Sequence, residues 1–237
     1  MIVDALRWLN GHEGLGVWVG AIASALVAFV AVGVVFLQRH FDRLAKAEIA
    51  LERKRSLAFS SLMKLRSIHS TLTLLSRHVD KMFIQGEKLG LKEPWQFMTP
   101  MGSVPDKIKF SSDELEAIFS LKDFQLFDEI VLMEQFHNSA LLLQETFSRR
   151  RIEMTDLLPA EMRGEIGRLN LSQEQLGMIG PRSVELNALV GAMKQHWGPD
   201  AESALKMLMR LNELVEAEIN LNIKLKLMVP DQAEPVS

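Results

Sequence analysis

Residues 15–37 read LGVWVGAIASALVAFVAVGVVFL, 23 positions without a single charge. At about 1.5 Å per residue a helix of that length spans roughly 34 Å, enough to cross a hydrocarbon core of about 30 Å. A helix that is apolar on every side suits lipid or a deep core, and so long a run is unusual in a small soluble domain. A cleavable signal peptide fits less well, since it has a basic start, an apolar stretch of about 7–15 residues and a small-residue cleavage site. The one A-x-A pattern, Ala23-Ser24-Ala25, lies in mid-run, and the basic flank follows the run instead of preceding it. The expected fold class is all-α, one N-terminal transmembrane helix continuing into a cytoplasmic antiparallel three- or four-helix bundle.

Lysine and arginine near the two ends set the expected orientation. Before the run there is only Arg7, beside Asp4 and Glu13; after it come Arg39, Arg43, Lys46, Arg53, Lys54 and Arg55. Positive residues stay on the cytoplasmic side, which predicts an outside N-terminus and a cytoplasmic C-terminal domain. Residues 1–14 are then a short extracytoplasmic segment. Within it, Trp8 with Ile2, Val3, Leu6 and Leu9 makes either a short amphipathic turn on the outer surface or a frayed start. The six basic residues are candidate contacts for anionic headgroups. Residues 38–66 carry a net charge of +5, against −7 for residues 67–237. The distal part is acidic and has no basic stripe, so no nucleic-acid partner is expected.

Gly16, Gly20, Ser24 and Ala28 recur every four residues within the run. One stripe of small side chains is a surface on which spanning helices approach each other closely. No ionisable residue lies inside the run, which argues against a proton relay or charged path through it.

Below the run the chain reads as helix, with long helices expected at about 38–85, 122–158 and 181–227. The domain is expected over 38–229, with a disordered tail at 230–237. Ala58, Leu65, Leu72 and Val79 repeat at one heptad position, and Ser61, Ile68, Leu75 and Met82 at another. This 3.5-residue seam suits left-handed helix packing. Its expected partners are helices of the same chain, with a second copy as the alternative. Residues 86–111 hold three glycines and three prolines and read as a loop, with Trp95, Phe97 and Met98 tucking it against the helices. Ser112 is the expected cap of a short helix carrying Leu115, Ile118 and Phe119. Leu126, Ile130, Met133, Phe136, Ala140, Leu143 and Phe147 form the expected face of the next helix, which Pro159 ends; Arg149, Arg150 and Arg151 in its later turns are expected to be solvated, with acidic partners or headgroups as the alternative. Residues 159–181 read as broken, with short turns at 160–169 and 172–178. The final helix is expected to kink or break at Gly198-Pro199.

Chemistry is thinly represented. Cysteine and tyrosine are absent, so there is no thiolate zinc site, disulfide or cysteine nucleophile. Glu134-x-x-His137 has the spacing of a di-iron bundle ligand pair, but that architecture needs two such motifs and two further glutamates. His137 therefore reads as a core-edge histidine beside Met133 and Ala140, and no metal or cofactor is expected. His12, His40, His69, His78 and His196 are scattered and read as surface residues. There is no phosphate-binding loop, dinucleotide fingerprint or nucleophile elbow.

The expected function is that of a single-pass membrane-anchored interaction or regulatory protein, scaffold or signalling, with no catalytic site evident. The alternative is a subunit of a channel, transporter or multi-protein membrane assembly. It is weakened because Ser24 is the one hydroxyl or amide side chain in the span. The expected partners are the lipid bilayer and either a second copy or another membrane protein, with no small-molecule ligand. The pattern resembles bacterial single-pass proteins with helical cytoplasmic domains, which makes a bacterial inner membrane the expected location.

Overall fold

A computed structural model describes residues 3, 4, 7, 13–103, 105–157 and 172–219. Its elements are all α-helices, and no strand occurs among the described residues. Helix α1 spans Glu13–Lys88, α2 Pro94–Phe97, α3 Ser112–Phe119, α4 Phe124–Thr155 and α5 Gln173–Ile219. The chain divides into two compact units, Met1–Arg53 and Lys54–Ser237.

In the first unit, every described side chain of α1 from Val17 to Arg53 is exposed. This includes Phe29 at 79% and Phe36 at 76%. Among the described residues α1 is the one helix long and apolar enough to cross a membrane. The N-terminal turn with Ile2, Leu6, Trp8 and Leu9, the turns expected at 160–169 and the tail at 230–237 lie outside the described residues.

The second unit has a core drawn from all five helices and the connection after α1. The heptad seam of α1 is buried there: Ala58, Ser61, Leu65, Ile68, Leu72, Leu75, Val79 and Met82 are each under 7% exposed. Leu62 joins them at 0%. Cross-links along the helices give their directions. His69 Nδ1 donates to the Ala201 carbonyl at 3.0 Å, while Asp80 meets Lys194 at 3.4 Å. Asp123 meets Arg210 at 2.6 Å, while Glu185 meets Arg150 at 3.0 Å. So α5 runs opposite to both α1 and α4, and those two run parallel.

Two successive long helices that run parallel need a returning connection, and residues 89–111 lie on it. Gly90, with φ 65°, ends α1 in the left-handed conformation that glycine takes without strain. Leu91 N–H then donates to the Gly86 carbonyl and Gly90 N–H to the Glu87 carbonyl, satisfying the helix end. Gly86 is needed for space, because a Cβ there would stand 2.6 Å from Cγ of the buried Phe97 ring. Trp95, Phe97 and Met98 anchor the connection at 8%, 3% and 0% exposure.

Three local expectations change. The cap of α3 is Ser111, one residue earlier than the Ser112 expected. Ser111 accepts from Glu114 N–H while the Glu114 carboxylate accepts from Ser111 N–H, a reciprocal capping box. Phe119, expected on the inner face of α3, is 51% exposed and stacks on Phe124 and Phe127. Helix α5 begins at Gln173, not near 181, and continues through Pro181 and Pro199 without a break. Both prolines are exposed, as are Gly177 and Gln195, the residues four before them that lose a donor. Water can satisfy those carbonyls, while the buried face from Leu186 to Val215 holds the helix together.

Candidate functional site

The candidate small-residue stripe lies on α1. Gly20, Ser24 and Ala28 are exposed, a Cβ at Gly20 would meet nothing within 4 Å, and Gly16 belongs to the same helix. The basic residues Arg39, Arg43, Lys46, Arg53 and Lys54 are exposed further along α1, and Arg55 is half-buried.

A second constellation lies in the core of α4. The expected face placed Phe136 and Leu143 inside, but Phe136 is 47% exposed and Leu143 only partly buried. His137 and Gln144 take their places at 0% exposure. With Ile130 and Arg151 they occupy one heptad position, beside Leu126, Met133, Ala140, Phe147 and Met154. A polar residue therefore recurs three times along the core face. His137 Nε2, Gln144 Oε1 and Arg151 Nη1 are each buried without a partner. Burial lowers the His137 pKa, opposed by the contact of its Nδ1 with Asn138 Oδ1 at 3.2 Å, and burial also lowers that of Arg151. Arg151 is thus half-buried, not solvated as the triplet reading expected. Arg150 pairs with Glu153 and Glu185, each at 3.0 Å.

Glu134 does not share a ligand set with His137. Its carboxylate accepts the Phe110 N–H at 2.8 Å, and Asn138, one turn on, grips both the N–H and the carbonyl of Ile108. This face of α4 holds the returning connection. His78 Nε2 donates to the Thr99 carbonyl at 3.0 Å, and Asn187 Oδ1 accepts from Trp95 N–H at 2.9 Å. His69 and His78 are accordingly half-buried clips, not surface residues. No group of three metal-binding side chains occurs among the described residues.

A partly buried ion pair ties α1 to α3. Glu114, 3% exposed, accepts from Lys64 Nζ and Ser60 Oγ, each at 2.6 Å. Burial pushes its pKa up, but the bonds from Lys64, Ser60 and Ser111 outweigh it and hold the carboxyl at about 2. Nothing in the sequence pairs Lys64 with Glu114, 50 residues on; the Ser111-x-x-Glu114 spacing points only to the cap.

Open clefts also mark the surface. One of about 510 Å³ is lined by Asp80, Phe83, Glu87, Lys92, Phe97 and Lys194, with Lys194 Nζ 4.2 Å over the Phe83 ring. One of about 330 Å³ lies between α4 and α5 at Phe136, Leu143, His196, Trp197 and Asp200. Burial pushes the Asp200 carboxyl up, and His196 partly offsets this.

Stability should fall with acid in two windows. The folded His137 titrates below its ordinary 6.5, so the unfolded chain takes up the proton first and stability declines as pH falls below about 6.5. The folded Glu114 titrates at about 2 against an ordinary 4.5, so its contribution, about 3 kcal/mol, is complete above pH 4.5 and lost towards pH 2. Urea unfolding between pH 3 and 8 should show both slopes. His137→Leu should flatten the upper one and Glu114→Gln the lower. A single slope unmoved by either substitution would contradict these assignments.

No family model, curated protein or solved structure matches the chain.

Proposed function

We propose that this chain is a single-pass membrane protein whose residues beyond the span form a cytoplasmic helical interaction or regulatory module. One observation carries the reading: an uncharged, fully exposed stretch of α1 from Val17 to Leu37 stands on a chain that buries a separate core of its own. Water would not tolerate such a surface, and lipid would. Basic residues follow the stretch at once, which orients the second unit to the cytoplasm and sets Arg39 and Lys46 within reach of anionic headgroups.

In this reading the three long helices are a three-helix bundle with one crossover connection. Arg150 and Arg210 tie α5 to α4, and Lys64 ties α1 to α3. The module acts by whom it touches.

Cross-linking in intact membranes, followed by mass spectrometry of everything recovered, tests the proposal. Recovery in membrane fractions with self-links or one dominant membrane partner is expected. A monomer that brings nothing with it, or a chain recovered from the soluble fraction, would count against it.

A further inference from the structure

The seam buried in the second unit keeps its register upstream, where the described side chains of α1 are exposed. Stepping back from Ala58 by sevens gives Leu51, Leu44 and Leu37. They are 40%, 54% and 58% exposed. Four heptads of α1 are thus leucine or another apolar residue at the first position inside the core, and three more repeat the pattern outside it. Propensity does not ask for leucine every seventh residue on a solvated helix; a partner does.

We propose that residues 37–51 of α1 pair with the same segment of a second copy, parallel and in register, as a short left-handed coiled coil directly below the membrane. This rests on the membrane reading above, which inserts both copies the same way and so makes their helices parallel. The charges fit that geometry. In a parallel coil the residue just before one first-position leucine faces the residue five further on in the other helix. Arg43 precedes Leu44, and five further on is Glu48, so each copy's Arg43 meets the other's Glu48, twice per pair. Both side chains are exposed. Ala47, at the fourth position, is small enough for close approach. Arg39 and Lys46 fall on the opposite side of the helix, which keeps them for headgroups and assigns Arg43 to the pair. Lys54, at the next fourth position, would set two like charges together and ends the coil where the intramolecular core begins.

Two heptads are too short to pair in free solution, where even single helices under about 12–15 residues are marginal. Tethering in one membrane supplies the missing concentration. The coil therefore belongs to the anchored chain and would be lost from a detached one.

The cysteine-free sequence allows a direct test. Single substitutions Leu44→Cys, Ala47→Cys and Leu51→Cys probe the seam, and Asp42→Cys, Lys46→Cys and Ile49→Cys probe the outer side. Isolated membranes are oxidised with copper phenanthroline and run without reductant. The seam set should give at least severalfold more disulfide dimer than the outer set. In the Ala47→Cys chain, Arg43→Glu should cut the yield severalfold, and adding Glu48→Arg should restore it. Equal yields from both sets, no restoration by the double reversal, or links to a different protein would each overturn the pairing. Carbonate washing of the same membranes reads the anchor separately. A chain that stays in the pellet without seam cross-links overturns the pairing alone, and a chain in the supernatant overturns the membrane reading beneath it.

Discussion

Replacing Leu26 and Val27 together by arginine is expected to release the chain from the membrane. Both lie at the centre of the uncharged run and are 60% and 70% exposed on α1, so neither new charge would find a protein partner there. Each arginine at a helix centre costs about 2.5–3.5 kcal/mol on insertion scales, and each lost Leu or Val forfeits about 0.3–0.6 more. The pair amounts to about 6–8 kcal/mol, as much as or more than the remaining Leu, Ile, Val and Phe residues of the span supply at about 0.3–0.6 kcal/mol each. Carbonate extraction of cells should find wild type in the pellet and the double variant in the supernatant or degraded. Leu26→Ala with Val27→Ala should stay in the pellet, which separates charge from lost volume. Retention of the arginine variant would mean that something other than this helix holds the chain.

Trp197→Ala is expected to be the most damaging single truncation in the second unit. Trp197 is 1% exposed and lies on the buried face of α5, between Met193 and Ala201. Large-to-small changes of buried aromatics cost about 3–5 kcal/mol, through lost burial and the cavity left behind. Against a total of about 5–15 kcal/mol this is a large share. For a unit of this size it corresponds to a fall in Tm of about 6–20 °C. Circular dichroism of the full chain in detergent reads it, because the span's helix contributes a constant signal. Trp8 and Trp18 lie outside the second unit, so their substitution should leave this transition unmoved. A shift below about 2 °C for Trp197→Ala would show that α5 does not pack as described.

How much was legible in the sequence differs element by element. The apolar run and the seam of α1 were plain, because each depends on a repeating pattern within one helix. The inner face of α4 was misread by one residue at two places. Choosing the most apolar residue at each step selects Phe136 and Leu143, whereas strict alternation of three and four from Leu126 leads to His137 and Gln144. The polar core was therefore visible as spacing and hidden by composition. The breaks at Pro181 and Pro199 were expected from local chemistry, yet tertiary packing on the opposite face overrides it. The Lys64–Glu114 pair and the Asn138 clip were out of reach, since both depend on where a proline-rich connection is laid down. As for function, a helix long and apolar enough to cross a membrane was legible from composition alone, while recognition surfaces depend on which faces the fold leaves uncovered.

The crossover connection has a consequence in time. Because α1 and α4 run parallel, the apolar seam at Ala58 to Met82 is closed by α5, the last of the described helices to be made. About 130 residues separate Met82 from Val215, which at about 5–20 residues per second leaves the seam open for on the order of ten seconds after it is synthesised. If the chain is anchored as proposed, it waits through that interval at a bilayer, beside any sibling chain in the same state. Helices α4 and α5 can close on each other early, since their contacts are near in sequence, and α1 docks late. A sibling's α5 fits the waiting seam as well as the chain's own, so the newborn protein is exposed to strand exchange between neighbours. The partly buried Lys64–Glu114 pair limits this, because it commits α1 to its own α3 before α5 arrives.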